Sequence, residues 1–380
     1  MIRRLSFLLL LSAFILSRMS ASPSLLIFLG TYTPANGASR GIYSVRLDPE
    51  TGALSEPVFA AAASNPTFLA WRPDGRTLYA LTESGTVGGK PGGALAAFRF
   101  NADGTLNLLN IEAAGSLNLS HVNVDATGHT AAVISYSGSQ VASFPLAPDG
   151  SLGPRASLVT HQGPLGPNAK RQEKPHPHSI TFPPDNRFIY VCDLGLDRIV
   201  RYRFDPASAV LTAAGEFPAA PGAGPRHSKF SADGKFLYVI NELNSTVAPY
   251  AVDAATGDLT ALPAVSTLPA GFTGESICAE IRLSPDGRFV YGSNRGHDSL
   301  AVFARDAAKG TLTPVEVVPS GGKHPRNFSL SPDGRWLVCA NRDTDNVTVF
   351  RVDPATGRLI ATGHTASVPQ AVCVLFAPGS

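Results

Sequence analysis

Four arginines, Arg226, Arg295, Arg326 and Arg342, with Lys323 and His324 nearby in the chain, form a set of cations suited to one task. A planar guanidinium grips a carboxylate or phosphate through paired hydrogen bonds, so these side chains can make a cationic floor for an anion. Glu83, Glu242 and His178 add proton acceptors. The alternative is that the arginines and glutamates only pair with one another and fill a channel.

The histidines point the same way. His176 and His178, in KPHPHS, lie two apart on an extended segment and share a face, as a metal pair would. No third and fourth ligand stand at matching spacing, so neither a metal nor another cofactor is expected, and the imidazoles are candidates to bind substrate or act on it. His121, His227, His297 and His324 recur at corresponding places and can bind substrate oxygens. There is no GxxxxGK[ST] phosphate loop.

A repeat brings these residues together. One hairpin recurs as PTFLAWRPDGRTLYALTE, PHSITFPPDNRFIYVCD, PRHSKFSADGKFLYVINE, AEIRLSPDGRFVYGSNR and PRNFSLSPDGRWLVCANR, with a weaker copy from His121. Asp-Gly or Asn between alternating apolar residues is hairpin chemistry. A second hairpin, with turns such as DPETG and DPATG, occurs seven times. The turn residues Gly75, Gly128, Asn186, Gly234, Gly287 and Gly334 are 53, 58, 48, 53 and 47 apart. Four strands at this period predict an all-β chain, a seven-bladed β-propeller of four-stranded antiparallel blades. LLIFLGTYT near the start and PQAVCVLFAP near the end complete each other, so the N- and C-terminal strands are expected to pair and close the ring.

In such a meander alternate turns lie on opposite rims. Eight residues before the turn residues stand Thr67, Ser120, His178, Arg226, Ala279 and Arg326; eight after stand Glu83, Tyr136, Leu194, Glu242, Arg295 and Arg342. Both columns are predicted to converge on one end of the axial funnel, where charged residues flanked by apolar strand positions suit a ligand site.

Composition sets the outer limits. With 44% hydrophobic and 16% charged residues, the 380-residue chain is neither disordered nor a coiled coil. Its 31 Lys+Arg against 29 Asp+Glu lack the basic excess of a nucleic-acid binder. Four cysteines without a CxxC pair are expected as buried free thiols. Arg3 and Arg4 precede an apolar run from Leu5 to Leu16, too short to cross a bilayer. Residues 1–24 are therefore expected to be a signal peptide and 25–380 the propeller, exported to the periplasm or beyond, monomeric and without a membrane span once processed.

The stretches LGTYT, KPHPHS, GPRH, NELNST, SNRGHDSLAVF and HPRNFSLSPDG resemble the seven-bladed propeller lactonases, the 6-phosphogluconolactonase and cycloisomerase-2 group, over nearly the whole chain after residue 24. The resemblance implies hydrolysis of a sugar-acid lactone. Similar fungal enzymes interconvert carboxymuconate and its lactone with a histidine, two arginines and a glutamate around the same funnel. Those roles fall here on His178, Arg226, Glu242 and Arg295, with His178 or Glu242 as the base. His176, His227, His297, Lys323, His324, Arg326, Arg342 and Glu83 are the expected substrate-binding residues, Arg326 with Lys323 and His324 gripping a phosphate. Export, however, separates the chain from a phosphorylated cytoplasmic intermediate. An unphosphorylated aldonolactone is then the alternative substrate, a carboxymuconate-type cycloisomerase the alternative enzyme, and a non-catalytic binding propeller the alternative class.

Overall fold

The computed structural model describes residues 24–101 and 103–379. The predicted signal peptide lies outside the described residues, apart from Ser24. Seven antiparallel sheets follow the chain as a meander, each running from an inner to an outer strand. The inner and second strands of blades 2 to 7 are Leu69–Trp71 and Thr77–Val87, Leu119–Val124 and Thr130–Ser135, Pro177–Thr181 and Phe188–Asp193, Pro225–Phe230 and Phe236–Asn241, Ile277–Leu283 and Phe289–Arg295, and Pro325–Leu330 and Trp336–Asn341. Blade 5 differs only at its outer edge, which is split into Leu259–Ala261 and Val265–Ser266.

Blade 1 closes the ring as expected. The C-terminal strand Ala371–Phe376 is its innermost strand and pairs antiparallel with Leu25–Thr31, with Leu29 opposite Val374. Leu29, Val45 and Val374 then pack against Trp336 and Val338 of blade 7, joining the chain's two ends through a buried apolar face. Burying each such large side chain contributes about 1.5–3 kcal/mol.

The turns explain why the repeat is so regular. Gly310, in an Asp-Ala-Ala-Lys-Gly turn, has φ +73°, and a Cβ there would strike the Phe236 ring of the preceding blade. The turn therefore needs glycine for its backbone and for the seam between blades. Tyr190 spans the next seam, its hydroxyl donating to the Gly257 carbonyl at 2.6 Å. Asp-Gly turns and Asp-Pro-type turns thus sit together on one rim, which leaves the opposite rim to the polar columns.

Candidate active site

At that opposite rim the inner strands lose strict alternation. Pairing slips by one residue between Leu119 and His121, Pro177 and Ser179, Pro225 and His227, and Pro325 and Asn327. The extra residues are Ser120, His178, Arg226 and Arg326. A bulge re-aims the side chain of its unpaired residue, and here the bulged positions gather at the mouth of the channel. Ser120, His178 and Arg326 line a cavity of ≈ 300 Å³ together with Thr67, Glu83, Tyr136, Glu242 and Arg295. Arg226 lies at the adjoining floor, lining a smaller void with Thr67, Ser120 and Arg326.

Glu242 is the hub. Its Oε2 takes Arg226 Nε at 2.9 Å and Arg295 Nη2 at 2.8 Å, while Oε1 takes Arg171 Nη2. Burial alone would push this carboxyl up; Arg295 and Arg226 outweigh it and hold it well below the usual carboxylate range. Glu242 is consequently an ionised acceptor with both oxygens engaged. Burial and the Arg295 and Arg326 guanidinia lower Arg226 to about 9, still a cation at neutral pH. Arg171 is opposed by burial but raised by Glu242.

His178 has the opposite character. It is 5% exposed, lines the cavity, and buries its Nδ1 without a hydrogen-bond partner. Burial first, then Arg226 and His227, hold it well below the ordinary imidazole range, so it is neutral at pH 7. A neutral imidazole beside a clamp of guanidinium groups can accept a proton from water, and the guanidinia can receive the charge that develops on a carbonyl oxygen.

Residues 26–376 match the family model described as Lactonase, 7-bladed beta-propeller. The chain belongs to the seven-bladed β-propeller lactonase family. Among this lactonase's relatives, the 6-phosphogluconolactonase of Bacillus subtilis is 39% identical over 350 residues, covering 92% of this chain and 97% of that protein. The 6-phosphogluconolactonase of Formosa agariphila is 31% identical over 80% of this chain and 85% of its own length. The solved structure of a periplasmic gluconolactonase from Pseudomonas aeruginosa superposes with a TM-score of 0.86 at 34% identity, covering 94% of this chain and all (100%) of that one.

Several residues expected at the lactonase site stand elsewhere. The cationic floor consists of Arg171, Arg226, Arg295 and Arg326, without Arg342, Lys323 or His324. Asp343 draws Arg342 Nε to 2.6 Å and His324 Nδ1 to 3.4 Å, and neither residue lines the cavity. Lys323 is exposed on the same loop. His297 sits between turn residues Gly296 and Asp298, donates or accepts at Ser299 Oγ (2.7 Å) and packs against Phe272, outside the cavity lining. His176 stacks behind Tyr136 with ring centroids 4.3 Å apart and contacts Glu173, so it backs the wall instead of lining it. His227 lines the smaller void beside Arg226 and is not part of the cavity lining. Glu83 lines the cavity, but its oxygens accept from Asn65 Nδ2 at 2.6 Å and the Asn118 N–H at 3.1 Å, which makes it a wall anchor.

Arg171 was not among the expected residues. It comes from the irregular connection between blades 3 and 4, which has no counterpart in the repeat, and reaches over blade 4 where the second column offers only buried Leu194. Gln172 Nε2 bonds the Leu194 carbonyl at 2.8 Å and ties that connection down. A basic residue in the longest unrepeated inter-blade segment was the available signal.

Proposed function

We propose that this lactonase opens an unphosphorylated aldonolactone of the gluconolactone kind at the channel mouth, outside the cytoplasm. The observation that carries the chemistry is the pairing of neutral His178 with the Arg226–Glu242–Arg295 clamp around a cavity at the lower end of the size range for small-molecule sites, about 300–1,000 Å³. His178 takes a proton as water adds to the lactone carbonyl, and Arg226 and Arg295 donate to the oxyanion. Collapse breaks the ring C–O bond, and the departing alkoxide recovers the proton from His178 to give the hydroxy acid. Glu242 keeps the two guanidinia charged and oriented.

The wall formed by Thr67, Ser120, Glu83 and Tyr136 carries hydroxyls and a carboxylate suited to a polyol arm. Export is supported by Arg3 and Arg4 ahead of the apolar run and by the periplasmic description of the Pseudomonas aeruginosa relative. A second reading, 6-phosphogluconolactone, is favoured by Arg326. Among the described residues this guanidinium has no carboxylate partner; it lies 5.6 Å over the Tyr32 ring, free to meet a phosphate.

A pH-indicator assay of the processed protein on gluconolactone, 6-phosphogluconolactone and a muconolactone, with spontaneous hydrolysis subtracted, separates these readings. Faster acid release from gluconolactone supports the first. Preference for the phosphorylated substrate moves the assignment to the second. Inactivity on all three overturns lactone opening for these substrates.

A further inference from the structure

Beneath the cavity floor lies a buried acid that the chemistry above does not use. Glu280 is 0% exposed. Its Oε2 faces His227 Nδ1 at 3.2 Å and accepts from Asn327 Nδ2; its Oε1 accepts the Ile281 N–H at 3.0 Å and faces Arg282 Nη1 at 3.4 Å. The other three neighbours of this carboxylate are donors, so His227 completes the set by carrying its proton on Nδ1. The lone pair on His227 Nε2 is then directed at Arg226 Nη1, 3.2 Å away. Nη1 also donates to the Ala279 carbonyl, and Nε donates to Glu242. These acceptors occupy the Nε and Nη1 hydrogens of Arg226 and leave Nη2 without a protein acceptor.

We propose that Glu280 and His227 are positioning residues: they hold Arg226 from below so that Nη2 alone is presented to the reacting carbonyl oxygen. The identity of that oxygen rests on the lactone-opening function proposed above; the aiming of Arg226 does not. Beside the register shift between Cys278 and Ile281, Glu280 stands in blade 6 where blades 5 and 7 place His227 and Asn327, so the repeat itself brings the three side chains together. Carboxylate–imidazole pairs of this kind fix a tautomer and orient what the imidazole binds.

The test uses the full chain and its Glu280→Gln, His227→Phe and His227→Gln variants. An imidazole nitrogen NMR spectrum of the wild type should show His227 neutral and protonated at Nδ1, and Glu280→Gln should move it toward the Nε2-protonated form. His227→Phe keeps a ring but no acceptor; kcat should fall roughly 10- to 100-fold, with KM changed less than about 3-fold. His227→Gln, whose amide oxygen can replace Nε2, should recover much of that loss. Wild-type His227 protonated at Nε2, full turnover by His227→Phe, or equal losses in both His227 variants would overturn the proposal. The tautomer measurement needs no substrate. A wild type inactive on every lactone but showing the Nδ1 form would therefore reject the substrate and keep the aiming of Arg226.

Discussion

Replacing Glu242 by Gln tests the clamp most directly. The substitution preserves size and removes the negative charge from a side chain 3% exposed, held by Arg226 at 2.9 Å and Arg295 at 2.8 Å. Those arginines are 2% and 6% exposed and would be left as buried cations facing an amide; Arg171, at 37%, can turn to solvent and contributes little. Removing one partner of a buried ion pair costs about 3–5 kcal/mol. With roughly 2.1 cal/mol/K of unfolding entropy per residue over a propeller this long, the expected fall in Tm is about 4–7 °C. Calorimetry at neutral pH measures it. The pH dependence follows from the depressed carboxyl of Glu242. A folded value below the unfolded one, about 4.3, gives stabilisation that is complete above the unfolded value and is lost as pH falls through the folded value. The gap between variant and wild type should hold constant at neutral pH and narrow in acid. A variant melting within about 1 °C of the wild type at neutral pH, or a gap that widens on acidification, would refute the clamp.

His178→Gln should lower kcat by about 10²- to 10⁴-fold while leaving Tm nearly unchanged, and wild-type kcat/KM should decline only well below pH 6.5, as a stopped-flow pH series would show. Arg326→Gln should raise KM for an anionic lactone at least about 10-fold more than for a neutral one, since a charge-assisted hydrogen bond contributes about 1.5–3 kcal/mol; equal effects on both substrates would remove Arg326 from substrate selection. Burial lowers His121, His178 and His227, so their contribution to stability is complete above about pH 6.5 and is lost as pH falls through the folded values, by up to about 1.4 kcal/mol per group per pH unit. Denaturant titrations at falling pH check that slope. The four buried free cysteines, with Cys192 and Cys278 pushed up to about 11 by burial, should resist an aromatic disulfide reagent in the native protein and react once it is unfolded.

The propeller was legible because each hairpin announces its own turn. Gly75, Gly128, Gly234, Gly287 and Gly334 all have φ of 70–72°, so one local requirement wrote the same residue at each copy. Ring closure was legible because LLIFLGTYT and PQAVCVLFAP are each half of a unit, and only pairing completes them. Counting eight residues from a turn found Thr67, Ser120, His178, Arg326, Glu83, Tyr136, Glu242 and Arg295 because the hairpins have constant length. The same count failed where length or backbone departs from the repeat. In blade 6 it landed on Ala279, whose methyl carries no chemistry, and passed over buried Glu280 one residue further on. It included Arg342, whose ion pair with Asp343 depends on the path of one short loop. It had no means of finding Arg171, whose segment repeats nowhere.

The proposed mechanism also divides the roles of the two groups that sequence left as equivalent bases. Glu242 is surrounded by donors that stabilise its charged form, which makes it a poor proton acceptor and a good counter-ion. His178 is also a weak base at rest, because burial and Arg226 disfavour its cation. That weakness is specific to the ground state. Once a negative charge grows on a carbonyl oxygen beside Arg226 and Arg295, it offsets the positive field that holds the imidazole down, while the Glu242 carboxylate continues to favour the imidazolium. The proton affinity of His178 therefore rises along the same coordinate that creates the oxyanion. In the proposed mechanism the arginines that bind the anion and the histidine that they keep neutral are thus parts of one device, stabilising the transition state more than the bound lactone.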